Sequence, residues 1–407
     1  MTSATVTPAT RFAQLTEGLP RPFWALLVGT FITKAGSFVM PLLFVYLTQS
    51  RGLALPVAGA ITSLYGAGSL FGALLGGVLA DRLGRRFTML LSLVVGAAFL
   101  LVLGLATEVW QLALATFLTG FTADAYRPAS QALVADIVPV PLRMKAFGLQ
   151  YWAINLGFAF ASVIGGYMAT RSFGALFIGD AATTIVLALI VWRTIPETRP
   201  AFSADAKKAQ AGSLFTPFTD ARYAPFLLLN FLLAILFFQH LSALPDDMKT
   251  KGLTTEEFGW TMATNGVLIV LLQPFAIRWA EGYTQARVLA VGALLTGIGF
   301  GLTTLATGLP LYALSVAVWT LGEILLAPAN ASVVAQLSPE HLRGRYQAAF
   351  TLTWSAAAMT APLLGSSLIP AIGHRALWLG CLAIGVVVAA THLTWSARTL
   401  PKSAATE

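Results

Sequence analysis

Residues 127–143, RPASQALVADIVPVPLR, return 200 positions later as APANASVVAQLSPEHLR at 327–343. Pro128, Ala129, Val134, Ala135, Pro139, Leu142 and Arg143 meet their like at Pro328, Ala329, Val334, Ala335, Pro339, Leu342 and Arg343, and further on Gly165 meets Gly365. The echo extends over residues 80 to 166 and marks the chain as two copies of one unit. Both copies are strongly apolar. Two homologous membrane halves that face each other share one cavity at their interface, which is the geometry alternating access needs.

Composition places the chain in a bilayer. Of 407 residues, 57% are hydrophobic and only 10% charged, far below the roughly one-quarter charged of soluble domains, and the mean hydropathy is +0.76. One cysteine, Cys381, excludes an intramolecular disulfide framework, and four scattered histidines give no cluster spaced to hold a metal, so no metal site is expected. The net charge of +8 does not by itself imply nucleic acid, because the basic residues sit in loops that flank apolar stretches.

Stretches long enough to cross a bilayer fall near 23–49, 55–80, 86–106, 109–138, 143–170 and 173–195, then near 222–246, 257–280, 287–307, 309–337, 343–370 and 373–397. The expected architecture is all-α and integral to the membrane, with twelve transmembrane helices in two six-helix halves. The halves are 1–195 and 222–407. Between them, residues 196–221 form a polar linker with Pro196, Pro200, Lys207, Lys208 and Pro217, a composition that cannot span lipid. The first 22 residues show no short apolar core with a cleavage site, so no signal peptide is expected.

Orientation follows from Lys and Arg. With both termini cytoplasmic, only Arg51, Arg171, Lys249, Lys251 and Arg375 fall on the outer side; Lys34 and Arg127 lie within the bilayer, and every other basic residue is inside. The expected location is a bacterial inner membrane, multi-pass, with the lipid bilayer itself as one partner.

The loop between spans 2 and 3 reads Gly76-Gly77-Val78-Leu79-Ala80-Asp81-Arg82-Leu83-Gly84-Arg85-Arg86. Its glycines permit close helix approach and a sharp turn, and its cations suit an anionic leaflet. A plain positive-inside anchor would explain the cations alone. With Asp81, the glycine spacing and the twelve-span repeat, the loop closely resembles the signature of the major facilitator superfamily. By that resemblance Asp81 caps the start of span 11 near Arg343, while Arg85 pairs with Asp136, a gating latch that favours the outward-facing state. The second copy reads Ala280-Glu281-Gly282-Tyr283 and lacks the Arg-Gly-Arg-Arg run, so the latch signal is concentrated in the first half. Asn155-Leu156-Gly157 and Ala161-Ser162-Val163-Ile164-Gly165-Gly166 in span 5 resemble a motif of the superfamily's proton-coupled exporters, with Ala161-Ser162 where Gly-Pro is expected. Ala361-Pro362 in span 11 keeps the proline.

Charges inside the bilayer are costly, about 2.5 to 3.5 kcal/mol each at a helix centre. Glu323 has no cation within span 10 and could take up a proton as water access alternates; the competing reading is a buried, hydrogen-bonded structural acid. Asp124 and Arg127 are three apart on span 4, which permits either a structural ion pair or a proton site at Asp124, and Lys34 of span 1 is a rival partner. Glu323 and Asp124 are therefore the proton-coupling candidates, and Lys34 and Arg127 their charge partners. An acid in span 4 and another in span 10 resemble bacterial proton-coupled multidrug exporters. Asp180 is read as helix packing, and His240 is given no role.

Aromatic and amphipathic residues supply a candidate substrate pocket: Trp319, Tyr151, Asn155, Asn230, Phe237, Gln239, Trp354 and Met359. Trp319 ranks first, one turn from Glu323, offering stacking and cation-π surface to a lipophilic cation. The expected function is secondary active transport, with small-molecule substrates and protons as partners: proton-coupled antiport exporting lipophilic or cationic compounds, as in multidrug efflux. The alternatives are a symporter or facilitator for a specific metabolite such as a sugar, amino acid or peptide, or a membrane sensor or receptor. No catalytic residue is expected, since no Gly-x-Ser-x-Gly elbow or His-Glu-x-x-His motif occurs. No Gly-x-x-x-x-Gly-Lys-Ser/Thr loop occurs either, so the energy source should be a proton gradient with no cofactor. No nucleic acid and no obligate protein partner are expected.

Overall fold

A computed structural model describes residues 18–198, 215–280, 282–339 and 342–396. Most of the expected linker, including Lys207 and Lys208, and both chain ends lie outside the described residues. Within them every regular element is helical. The first half comprises α1 (Arg21–Ser50), α2 (Leu55–Leu83), α3 (Arg85–Leu105), α4 (Val109–Ile137), α5 (Arg143–Ala169) and α6 (Phe173–Thr194). The second half repeats the pattern with α7 (Ala224–Leu241), α8 (Thr255–Ala280), α9 (Gln285–Leu302) and α10 (Leu309–Leu337). The run Arg343–Thr391 then holds two helices, α11 (343–372) and α12 (374–391), divided at Gly373, whose φ of 75° leaves the helical region. Among the described residues ten helices are long and apolar enough to cross a membrane when this last run is taken as one. Dividing it, and counting the 29-residue α4, which is too polar to be one of these ten, is consistent with twelve spans.

Helix starts follow local chemistry. Proline opens α1, α2, α7 and α10 at positions where an amide hydrogen has no helical acceptor. Glu108 and Gln111 form a capping box on α4, and the Ser172 hydroxyl accepts from the Ala175 amide on α6. Two expected spans are interrupted. The first breaks at Gly36, and its second part, Val39–Val45, is capped by Asp180 of α6, whose Oδ2 accepts from the Val39 amide at 3.1 Å. The expected span 222–246 ends at Leu241, after which a short helix, Ala243–Thr250, turns onto the bundle.

Among the described residues the two halves share an apolar cluster at one face. An apolar cluster containing Phe38 and Leu42 of the first half with Leu244, Met248 and Phe258 of the second joins them at the face bearing the α1–α2 and α7–α8 turns. At the other face, which carries the α2–α3 turn and the start of α1, each half has its own cluster. Phe23, Leu133 and Val191 belong to one, and Phe226, Val333 and Val388 to the other. Hydrophobic burial does not drive helix association in lipid, so close backbone contact has to do so. A Cβ on Gly259 of α8 would lie 2.3 Å from the Ser162 carbonyl of α5, and one on Gly66 of α2 would lie 2.5 Å from the Met359 nitrogen of α11. These crossings hold the halves together down to mid-helix. Below them, Gly148 of α5 and Gly344 of α11 have nothing within 4 Å of an added Cβ. The molecule therefore holds a cavity open at the α2–α3 face and closed at the opposite face.

Candidate functional site

The apex of that cavity lies where α5, α8 and α10 converge. Gly266 lets α8 approach α5 so closely that a Cβ there would sit 2.7 Å from the Asn155 carbonyl. One residue earlier, Asn265 points into the second half: its Nδ2 donates to Glu323 Oε2 at 2.8 Å and lies 3.0 Å from Thr320 Oγ1. Thr320 Oγ1 in turn donates to the Val316 carbonyl at 2.7 Å. Glu323 is half-buried, and Tyr151 of α5, from the other half, is within its electrostatic reach. The acid thus stands on a hydrogen-bonded amide at the seam between the halves. Asn265 was not foreseen from the sequence, where nothing distinguishes it from other polar residues of α8.

The charges of the first half gather on a second wall. Asp124 Oδ1 lies 3.9 Å from Arg127 Nη1, a loose pair whose arginine side chain is 66% exposed. Among the described residues this is the ion pair Asp124 makes. Lys34, in the last turn before the break in α1, feels Asp124, Arg127 and Asp180 electrostatically, and its side chain is open to the cavity. Tyr65 belongs to the same neighbourhood. Lys34, Thr33, Tyr65, Tyr126 and Asp180 also line a cavity of about 120 Å³ inside the first half.

Several pocket candidates take other places. Trp319 is only 1% exposed: it stacks on Phe300 at 5.5 Å and 9°, over Gly299 of α9. Helical spacing puts it one turn from Glu323, but the close approach of α9 draws the indole into the second half's core. Asn230 is buried with Nδ2 donating to the Phe226 carbonyl, and Gln239 is buried with Nε2 donating to the Ala361 carbonyl at 3.3 Å. These three form packing rather than a cavity wall. Phe237 and Trp354 stay half-buried with ring centroids 5.7 Å apart, and Phe238 and Phe350 extend the aromatic surface around Trp354. Tyr151, Asn155 and Met359 retain exposure, Met359 beside the α2–α11 crossing. His240 is buried, with Nδ1 at 2.6 Å from the Phe237 carbonyl.

At the open face, Arg85 is buried and its Nε lies 3.1 Å from Asp136 Oδ2, with Asp81 at 3.8 Å. The expected cap on α11 is not made in this conformation. The α11 start has Leu342 at its N-cap with no side-chain cap hydrogen bond, and the Asp81 side chain is 67% exposed. The separation of the halves at this face removes the target helix from reach. The end of α6 completes the turn instead: the Glu197 carboxylate accepts from the Arg86 and Phe87 amides at 3.1 and 3.0 Å, and Thr198 Oγ1 donates to Asp136 at 2.9 Å.

The closed face has its own polar knot. Asp247 is 1% exposed and accepts from Lys251 Nζ at 3.1 Å, Tyr312 at 2.8 Å and Trp378 Nε1 at 3.2 Å. His374, beside the Gly373 break, reaches Asp246 at 2.9 Å. This knot ties the short helix Ala243–Thr250 to α10 and α12, and that helix carries Leu244 and Met248 of the inter-half cluster.

Comparison with known proteins agrees with this architecture. The Major Facilitator Superfamily profile matches residues 26–253 and 240–407. An uncharacterised MFS-type transporter of Bacillus subtilis, YttB, is 28% identical over 93% of this chain and 96% of its own length. A Na(+), Li(+), K(+)/H(+) antiporter of Planococcus maritimus is 28% identical over 83% and 87%, and the multidrug resistance protein MdtH of Aeromonas salmonicida is 24% identical over 91% and 93%. Among solved structures, a POT family transporter in complex with a thioalcohol-conjugated peptide superposes with a TM-score of 0.82 at 18% identity, covering 95% of this chain and 98% of that one. The repeat, the twelve helices, the cavity between two halves and the match along nearly the whole length lead to one conclusion: the chain belongs to the Major Facilitator Superfamily and is a membrane transporter, not an enzyme.

Proposed function

We propose that the protein exports lipophilic or cationic compounds by proton-coupled antiport. The observation that carries the reading is Glu323, a carboxylate at the cavity apex whose recorded hydrogen bond is to a neutral amide, Asn265. A carboxylate so placed attracts a substrate cation when charged and releases it when protonated, provided the two events face opposite sides of the membrane. The half-buried aromatics Phe237 and Trp354 supply adaptable surface for the apolar part of such a substrate. The excess of basic residues at the open face supports a cytoplasmic position for it, and an exporter loads from a conformation open on that side. Relatives named for multidrug resistance and for cation/proton antiport are in keeping with this direction.

A second reading has a specific observation behind it. Lys34 and Arg127 are both exposed near Asp124, and the second nearby acid, Asp180, is engaged by the Val39 amide, an arrangement that suits a carboxylate-bearing metabolite moved by symport. Purified protein in liposomes with an imposed pH gradient separates the two. Export predicts that ethidium, on the side of the cytoplasmic face, moves toward the acidic compartment while protons move the other way. Proton flux evoked by amino acids or peptides, with none evoked by lipophilic cations, would favour the symporter.

A further inference from the structure

The α8–α9 turn is the repeat's counterpart of the basic α2–α3 turn, yet it carries different chemistry. Arg82, Arg85 and Arg86 are replaced at the aligned positions by Gly282, Gln285 and Ala286. Arginines stand instead at 278 and 287, where the first half has Val78 and Phe87, and aromatic rings at 279 and 283, where it has Leu79 and Leu83. Arg85 is held by Asp136, and Arg86 reaches the Trp192 carbonyl. Arg278 and Arg287 are exposed, and among the described residues neither makes an ion pair. The turn's sequence includes Glu281, which leaves these three residues a net charge of one positive.

Trp279 and Tyr283 pack at 4.6 Å and 39°, each 44% exposed. With Arg287 they line a groove of about 360 Å³ whose apolar walls are Val291 and Leu294 of α9 and Leu393, just past the end of α12. Arg287, Val291 and Leu294 follow at helical spacing, so a cation heads an apolar track one helix face wide. Helix α9 packs on α7, on α10 and on the run Arg343–Thr391, where it meets Leu382 and Gly385 of α12, all of its own half, which turns the groove toward lipid and away from the transport cavity.

We infer that this groove is a binding site for an anionic phospholipid. Its phosphate meets Arg287, its interfacial region lies against the Trp279–Tyr283 pair, and one acyl chain runs along Val291, Leu294 and Leu393. Amphipathic rings favour the headgroup level, and an exposed guanidinium matches phosphate oxygens with two parallel donors. The two copies have thus diverged: the first copy's turn holds Arg85 and Arg86 within the protein, and the second leaves Arg278 and Arg287 exposed.

Brominated lipids quench nearby tryptophan, and the signal of Trp279 is isolated as the difference between wild type and Trp279→Phe. In liposomes of phosphatidylcholine doped with brominated phosphatidylglycerol or brominated phosphatidylcholine, the Trp279 component should be quenched by the anionic lipid at a several-fold lower mole fraction. Arg287→Gln should erase that preference while leaving quenching at high lipid fraction, and Arg287→Lys should keep part of it. Equal quenching by the two lipids, or a preference that survives Arg287→Gln, would overturn the proposal. Native mass spectrometry of full-length protein supplies a reading independent of Trp279: wild type should retain phosphatidylglycerol that Arg287→Gln loses, and equal retention by both would count against the site.

Discussion

Glu323 and Asn265 meet through one hydrogen bond of 2.8 Å, and a bond to a charged group in a protein interior contributes about 1.5 to 3 kcal/mol. Asn265→Ala should therefore slow uphill transport by about tenfold or more, beyond what the accompanying loss of thermal stability in detergent accounts for. A loss of folded protein matching the loss of transport would instead make Asn265 structural. Asp247 answers the opposite question. It is buried with Lys251, Tyr312 and Trp378 donating to it, so Asp247→Ala strands three donors and should destabilise the fold by about 3 kcal/mol or more, read as a lowered midpoint in a detergent thermal shift. An unchanged midpoint would show that the knot is dispensable. At this scale the sequence was legible where charge alone is informative. Glu323 and the Asp124–Arg127 pair stood out because ionisable groups are rare in apolar helices. Asn265 did not, because an amide gains meaning only from its neighbour across the seam. Trp319 was misjudged because helical spacing gives a face but not the helix packed on it, and Gly299 decides that.

Helix crossings set the conformation. Gly259 tolerates no side chain against the Ser162 carbonyl, so Gly259→Val should push α8 off α5 and raise the population open at the α7–α8 face. Spin labels on Arg171→Cys and Lys249→Cys, with the buried Cys381 replaced by Ser, should report longer distances than in the otherwise native chain. Unchanged distances would mean that the crossing does not hold the face shut. At the other face the latch has a conditional role. Asp81 is mostly exposed while the cavity is open, and its attraction to the start of α11 acts only on closure. Asp81→Asn should accordingly lower the population closed at that face, seen as fewer short distances between labels at Gly148→Cys and Gly344→Cys. Identical distributions at every pH would remove its gating role. The end of the linker is pinned by Asp220. Burial pushes its carboxyl up, but hydrogen bonds from Tyr346 and from the Arg222 and Tyr223 amides, with the Arg222 charge, hold it below the usual carboxylate range. The stabilisation it gives is complete at neutral pH and is lost as pH falls through that lowered value. Most helices were legible from apolar length. The break at Gly36 and the end of α7 at Leu241 were not, since Asp180 and the polar knot that fix them come from distant sequence.

Across the whole molecule, the repeat at 127–143 and 327–343 already implied two halves around a cavity, and what it could not convey was which face is open. That depends on inter-half packing, where apolar contacts through Phe38, Leu244 and Met248 close one side and separate clusters leave the other apart. An alternating transporter couples two gradients only if one group changes its occupancy with the exposed side, and Glu323 is the group proposed here. Glu323→Gln keeps the size and polarity of the side chain but cannot ionise. In proteoliposomes the variant should still exchange labelled for unlabelled substrate down no gradient, while a pH gradient should no longer drive accumulation. Counterflow and uphill transport of ethidium, measured on the same Glu323→Gln preparation, test this directly. Counterflow should persist, at higher substrate concentration because the attraction of the charged carboxylate is gone, with uphill transport abolished, and uphill accumulation equal to wild type would contradict Glu323 as the coupling group.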